Sequence, residues 1–235
     1  MVVKMVGNLF YDLKYIFNPS KCLACNILVN KDEKNICISC RHSISQVELL
    51  TNNSNLLDLV FFGRIKVEES AYLMLYRKDG KVQRLIHQLK YQNRQEVGTI
   101  LADWFGPQLN ESGRFQDVDV IVPVPLHPKK LRLRGYNQLT TFGRGLSKYL
   151  QVPFDEDVLI RTNHKASQTL KDRLNRWVNV KEIFDVKTLD KWHDAHILLI
   201  DDVVTTGATL ESCALALRKI PNVKISILTM AKAHY

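Results

Sequence analysis

A chain of 235 residues with 46% hydrophobic and 24% charged positions has the balance of a soluble globular protein, enough for one large domain or one domain with a small appendage. No apolar run reaches the ~18 residues of a membrane helix. Lys4, Asp12 and Lys14 interrupt the opening stretch, so it is no signal peptide, and a cytoplasmic chain without a membrane span is expected. Net charge is +9 and uneven: between His127 and Lys181 twelve Lys and Arg face four acids, a surplus of eight. Such a segment is either a solvated basic face or one held against polyphosphate or nucleic acid.

Along the chain, Met5, Val6, Leu9, Phe10, Leu13, Ile16 and Phe17 recur with helical period, which predicts an amphipathic helix. Four of the five cysteines follow within nineteen residues: Cys22 and Cys25, eleven residues, then Cys37 and Cys40. Two Cys-x-x-Cys turns supply four thiolates, the ligand set of a tetrahedral structural Zn2+ site. A cytoplasmic chain disfavours the rival reading, two disulfides. An Asn-rich connector at 48–66 reads as linker plus packing contacts.

An α/β pattern then runs to the end. Strands are predicted at 70–77, 118–125, 157–162, 196–200 and 223–231. Helices are predicted at 80–92, 95–109, 136–150 and 170–179, and from Ala208 to Lys219. Unbroken apolar strand cores alternating with helices imply a parallel sheet covered on both faces. The expected division is residues 1–48 for the N-terminal helix and cysteine module, 49–69 for the connector, and 70–235 for the α/β domain. Cys213 shares a helix stripe with Leu210, Ala214 and Leu217 and reads as a buried core thiol.

The segment LLIDDVVTTGATL carries the most chemistry. An apolar strand delivers Asp201 and Asp202 to the carboxyl edge of the sheet, where ligands of such folds sit. Thr205, Thr206, Gly207, Ala208 and Thr209 then turn into a helix, and its first N–H groups with the threonine hydroxyls form a cradle for one phosphate. Phosphate alone would not want two acids beside it. A phosphorylated ribose would, because carboxylates accept from a diol and stabilise positive charge on a sugar ring whose anomeric bond is breaking. A second basic segment, VPVPLHPKKLRLRGYNQ at 122–138, follows a predicted strand and offers Val124, Pro125, Lys129, Lys130, Arg132 and Arg134 as a pyrophosphate loop, with Gly135 opening the next helix.

LLIDDVVTTGATL resembles the phosphoribosyl pyrophosphate (PRPP) motif of type I phosphoribosyltransferases, at every position. The resemblance implies a Rossmann-like phosphoribosyltransferase domain in which residues 205–209 hold the 5′-phosphate. It also implies that Asp201 and Asp202, with Val203 between acids and loop, contact the ribose, and that Mg2+ travels with the pyrophosphate. VPVPL, RGYNQ and LIHQLKYQ behind four cysteines are similar to the ComF family, associated with competence. That resemblance implies PRPP as ligand and a role in DNA uptake, with single-stranded DNA and DNA-uptake proteins as partners. An active transferase acting on a nitrogen nucleophile and a zinc-linked adaptor with a regulatory PRPP site remain alternatives, and oligomeric state is open. Asn26 stands where the family often has Gly, a substitution a left-handed turn tolerates.

Overall fold

The computed structural model describes residues 20–29, 33, 35–46, 57–162 and 184–234. The helices predicted near the N-terminus and at 170–179, and much of the basic segment after Thr162, lie outside these residues. In chain order the elements are α1 (Ile38–Ser43), α2 (Asp58–Phe61), β1 (Ser70–Tyr76), α3 (Lys81–Tyr91), α4 (Glu96–Glu111), β2 (Val120–Pro123), α5 (Pro128–Arg134), α6 (Thr140–Leu150), β3 (Leu159–Arg161), β4 (Phe184–Val186), β5 (His196–Val204), α7 (Ala208–Leu217) and β6 (Lys224–Ala233).

Four strands form one sheet in the order β1-β6-β5-β2, every neighbouring pair parallel. Phe154 extends the β2 edge by a parallel bridge to Ile121. The central strands are apolar on both sides, as a parallel sheet with two covered faces requires: Ile197 through Ile200 and Ile227, Leu228 and Met230 are fully buried. β3 and β4 make a separate antiparallel pair beside α7. The helices α4 and α6 pack closely because small residues meet at their seam. A Cβ on Gly145 would lie 2.4 Å from that of Ala102, and one on Gly98 would lie 2.2 Å from Thr141 Oγ1.

Two departures from the sequence reading bear on the site. β5 does not stop at Ile200 but continues through the acids to Val204, held by β6 in the register Asp201 to Thr229 and Val203 to Ala231. Strand alternation therefore sends Asp201 and Asp202 to opposite faces of the sheet. The segment predicted as a loop at 122–138 contains α5 instead. Pro128 occupies its first turn, the His127 ring accepts the Lys129 N–H at 3.1 Å, and Gly135 ends it in the left-handed conformation (φ 81°).

Candidate functional site

The Thr/Gly turn is built from both ends. Val204 closes β5, Gly207 caps α7 with φ 76°, and the first amides of α7 point out of the helix start. Residues 201–210, Asp202 excepted, line a pocket of about 40 Å³. It lies far below the ~300 Å³ that encloses a drug-sized ligand and suits one tetrahedral anion. Gly207 is required twice over. Its φ belongs to the region L side chains avoid, and a Cβ there would sit 2.7 Å from Val60 Cγ1 and 2.9 Å from Phe61 Cε1.

Those two side chains belong to α2, part of the stretch read as a connector. α2 is the bed of the loop. Leu57 and Phe61 are buried, and Arg64, one residue past Gly63, donates to the Thr206 carbonyl at 2.7 Å and to the Val60 carbonyl at 3.0 Å while pairing with Glu211 on α7. Sequence reasoning missed Arg64. The contact spans 142 positions, and no local pattern announces it.

The acids differ in their surroundings. Asp202 is buried and held by both oxygens: Lys90 Nζ, from the end of α3, lies 2.6 Å from Oδ1, and Gln138 Nε2 donates to Oδ2 at 2.6 Å. Gln138 in turn accepts from Arg134, whose guanidinium lies 5.5 Å over the Tyr91 ring, and Tyr136 donates to the Leu89 carbonyl. Asn137 completes the turn by donating to the Val124 carbonyl at 3.1 Å. The segments LKY and RGYNQ thus converge on one carboxylate, although neither Lys90 nor Gln138 was expected at the site.

Asp201 faces the anion pocket, and its carboxylate accepts the Asp202 N–H at 2.8 Å. Thr229, its register partner, has a buried hydroxyl without a hydrogen-bond partner among the described residues. Burial first, and the neighbouring Asp202 second, push Asp201 up to about 8, against the pull of Lys90. A carboxyl raised in the folded state contributes stability that is complete below its unfolded value near ~4 and is lost as pH rises through about 8. The ligand-free protein should therefore lose thermal stability between pH 5 and pH 8, and Asp201→Asn should flatten that slope, which one carboxyl can make at most about 1.4 kcal/mol per unit. Melting curves with the same slope for both proteins would contradict the assignment.

Of the residues expected to serve a pyrophosphate, Val124 is buried at the end of β2, its N–H bonded to the Ile200 carbonyl at 3.0 Å, and Pro125 follows it. Arg134 reaches Asp202 through Gln138. Lys129, Lys130 and Arg132 stand exposed on α5, which buries no residue, and no side-chain contact ties them to the Thr/Gly loop among the described residues.

The four cysteines come together as their spacing predicts. Their sulfurs all lie within 4.8 Å of one another, with Cys25 and Cys37 at 3.8 Å. Four thiolates ~2.3 Å from a tetrahedral ion stand about 3.8 Å apart, so the cluster is compatible with structural zinc. Asn26 takes φ 65° after the first pair, the conformation anticipated for it, and Cys37 precedes α1, which carries Cys40. At Cys22 burial opposes ionisation, but N–H donors from Cys37, Ala24 and Cys25 outweigh it and bring the thiol down to about 7, while burial and the neighbouring thiols push Cys40 up. All five cysteines are free, and Cys213 is buried in α7 as expected of a core thiol.

The cysteine module is docked on the α/β part. Gln88 donates to the Leu23 carbonyl, Arg84 reaches the Ala24 carbonyl at 3.4 Å, and Ser45 accepts from Leu75 on the β1 edge at 3.1 Å.

No protein-family model matches the chain. Over 153 residues it is 29% identical to Competence protein F of Haemophilus influenzae, a region covering 63% of this chain and 67% of that protein. It is 32% identical over 133 residues to the DNA utilization protein YhgH of Escherichia coli K12, covering 55% of this chain and 58% of the relative. Competence protein ComFC of Bacillus subtilis is 36% identical over 95 residues, 40% of this chain and 36% of that one. Among solved structures, a glutamine PRPP amidotransferase from B. subtilis aligns over 60% of this chain and 30% of its own at 15% identity and TM-score 0.41. An adenine phosphoribosyltransferase aligns over 60% and 72% at 15% identity and TM-score 0.40. The ComF resemblance seen in the motifs is borne out by homology to the competence and DNA-utilization proteins, and the parallel α/β fold by the strand order above. Among the described residues no helix is long and apolar enough to cross a membrane.

Proposed function

We propose, from homology to proteins named for competence and DNA utilization, that this protein binds PRPP at residues 201–209 and handles incoming single-stranded DNA during natural transformation. The observation that carries the PRPP half is the convergence at one sheet edge of an anion-sized pocket and two buried acids with different partners. Thr205, Thr206, Gly207, Ala208 and Thr209 receive the 5′-phosphate on amides and hydroxyls. Asp201 and Asp202 accept the ribose hydroxyls. Lys90 stands within reach of the same carboxylate, where it also offsets charge on an entering polyphosphate.

Carboxylates and hydroxyls suit a hard cation, so Mg2+ fits the donor set here, and when bound it would neutralise pyrophosphate oxygens. Val124, Pro125 and the cations of α5, Lys129, Lys130, Arg132 and Arg134, would flank that pyrophosphate. Zn2+ at Cys22, Cys25, Cys37 and Cys40 would be structural, since the protein supplies all four ligands. The division into residues 1–48, 49–69 and 70–235, and a cytoplasmic location, belong to the same proposal.

A second reading, transfer of phosphoribose to a nitrogen nucleophile, is favoured by the intact acid pair, which is placed to stabilise positive charge on the ring. Incubating the protein with PRPP and Mg2+, against nucleobases in one arm and single-stranded DNA in the other, separates the two by pyrophosphate release. The proposed role predicts PRPP binding without base-dependent release, and DNA affinity that falls steeply as salt rises. Release with a nucleobase alone would favour the transferase; salt-independent DNA binding, or none, would overturn the DNA role.

A further inference from the structure

Between the cysteine module and α3 lies a second cleft, of about 480 Å³, to which the functional reading above assigns nothing. Its wall is the outward stripe of α3, residues 83, 84, 87 and 88, with Gln92 just past the helix end, closed at one side by Asn26 of the first cysteine turn and at one end by Asp79. The cleft is open to solvent and wide enough to seat a nucleotide-sized group without enclosing it. The lining narrows the chemistry. Gln92 and Asn26 each offer a donor and an acceptor in one plane, Gln83 and Gln88 offer what their contacts to the Asp79 N–H and the Leu23 carbonyl leave, Arg84 and His87 add planar nitrogen groups, and Asp79 adds an acceptor. Asp79 beside a single arginine, with no helix start or threonine cradle among the lining residues, disfavours a phosphate, and a lipid site would be apolar. Paired donors and acceptors are what the edge of a nucleobase requires: Asn and Gln match adenine, Arg matches guanine, and a carboxylate accepts from the cytosine amine.

Beside this cleft is a surface for stacking. His87 and Tyr91 stand one helical turn apart with ring centroids 4.9 Å apart, and Tyr91 is 67% exposed. A large aromatic left in water at the rim of a polar cleft is the arrangement single-strand binders use for bases. Beyond Tyr91 the charge changes. Arg134 lies over its ring, and Lys129, Lys130 and Arg132 continue exposed along α5, a row of cations suited to a phosphate backbone. The cleft is also preformed. The Gln88 and Arg84 contacts to the Leu23 and Ala24 carbonyls fix the cysteine turn against α3, while the side chains of Asn26, Gln92 and His87 make no hydrogen bond among the described residues.

We propose that this cleft, together with His87 and Tyr91, is a nucleobase subsite for a single-stranded nucleic acid whose phosphates run along α5 toward the PRPP edge. The proposal rests on the DNA half of the function above; it shares the cations of α5 with the proposed pyrophosphate, so the test is made without PRPP. Fluorescence anisotropy with a labelled single strand of about 20 nucleotides, longer than the site of one small binding domain, tests it on the full-length protein. Tyr91→Ala should weaken binding between about fivefold and a hundredfold, the usual loss for one stacked base, and Tyr91→Phe should bind like the parent because it keeps the ring. His87→Ala and Gln92→Ala should each weaken it less. An abasic strand of equal length should bind the parent at least as weakly as the normal strand binds Tyr91→Ala, and millimolar deoxycytidine monophosphate should displace little of the normal strand.

Equal affinity for normal and abasic strands would overturn the proposal, as would alanine variants that bind normally or displacement by the free nucleotide at the strand's own concentration. Each of these leaves the DNA role intact. A parent protein that binds no strand at all ends both.

Discussion

Replacing Asp201 and Asp202 together by asparagine should reduce PRPP affinity by at least about tenfold, because hydrogen bonds to the ribose from both acids are altered at once and that of Asp202, charge-assisted, is worth ~1.5–3 kcal/mol. Asparagine is the informative substitution here. Both acids are buried, and alanine would leave cavities beneath the sheet edge. The single variants should differ. Asp202 is paired with Lys90 and Gln138, so Asp202→Asn removes an acceptor and leaves Lys90 without its counter-ion at 2.6 Å. Asp201, raised to about 8, is already largely neutral at pH 7, and Asp201→Asn resembles the form that exists there. Titration calorimetry with PRPP and Mg2+ should therefore rank the losses as double variant, then Asp202→Asn, then Asp201→Asn. Unchanged affinity in the double variant would show that the sugar is not held by these acids.

Removing the zinc proposed for the cysteine cluster should have the largest effect on stability. Structural zinc contributes on the order of 10–16 kcal/mol to the folding of small modules, comparable with the ~5–15 kcal/mol that holds a whole domain together. The sulfurs are already gathered within 4.8 Å, but only Cys22 and Cys40 are buried, so without a cation little else holds the cluster together. Purified protein should carry about one zinc per chain, the complement of a four-thiolate site. Cys40→Ser or a strong chelator should release it and open residues 20–46 to proteolysis. Opening should also disturb α3, because the Leu23 and Ala24 carbonyls are bonded to Gln88 and Arg84. Metal analysis that finds no zinc, or a module equally resistant to protease after chelation, would contradict the assignment.

What was legible in the sequence was whatever is local. The run from His196 to Leu217 declares a strand, a turn that needs Gly207 and a helix within about twenty residues, and each step has its own chemical signature. The cysteine cluster is legible for the same reason, since the ligand spacing is the geometry. What was not legible is what the fold assembles from distant parts. Arg64 and Phe61 support the Thr/Gly loop from a segment whose Asn-rich start reads as linker, and Lys90 meets Asp202 across 112 positions of sequence. α5 is a different case. Pro128 in a first turn and Gly135 after a last one are helix boundaries, but the basic residues between them pointed to a phosphate loop and obscured the start and stop signals. β4 has only three residues and no alternation to reveal it.

A crystal of the protein soaked with PRPP and Mg2+ tests the central claim most directly. The account predicts electron density for the 5′-phosphate in the pocket at residues 205–209, with the ribose hydroxyls within hydrogen-bond distance of Asp201 and Asp202. Density for the sugar phosphate elsewhere, with that pocket holding only water, would contradict it.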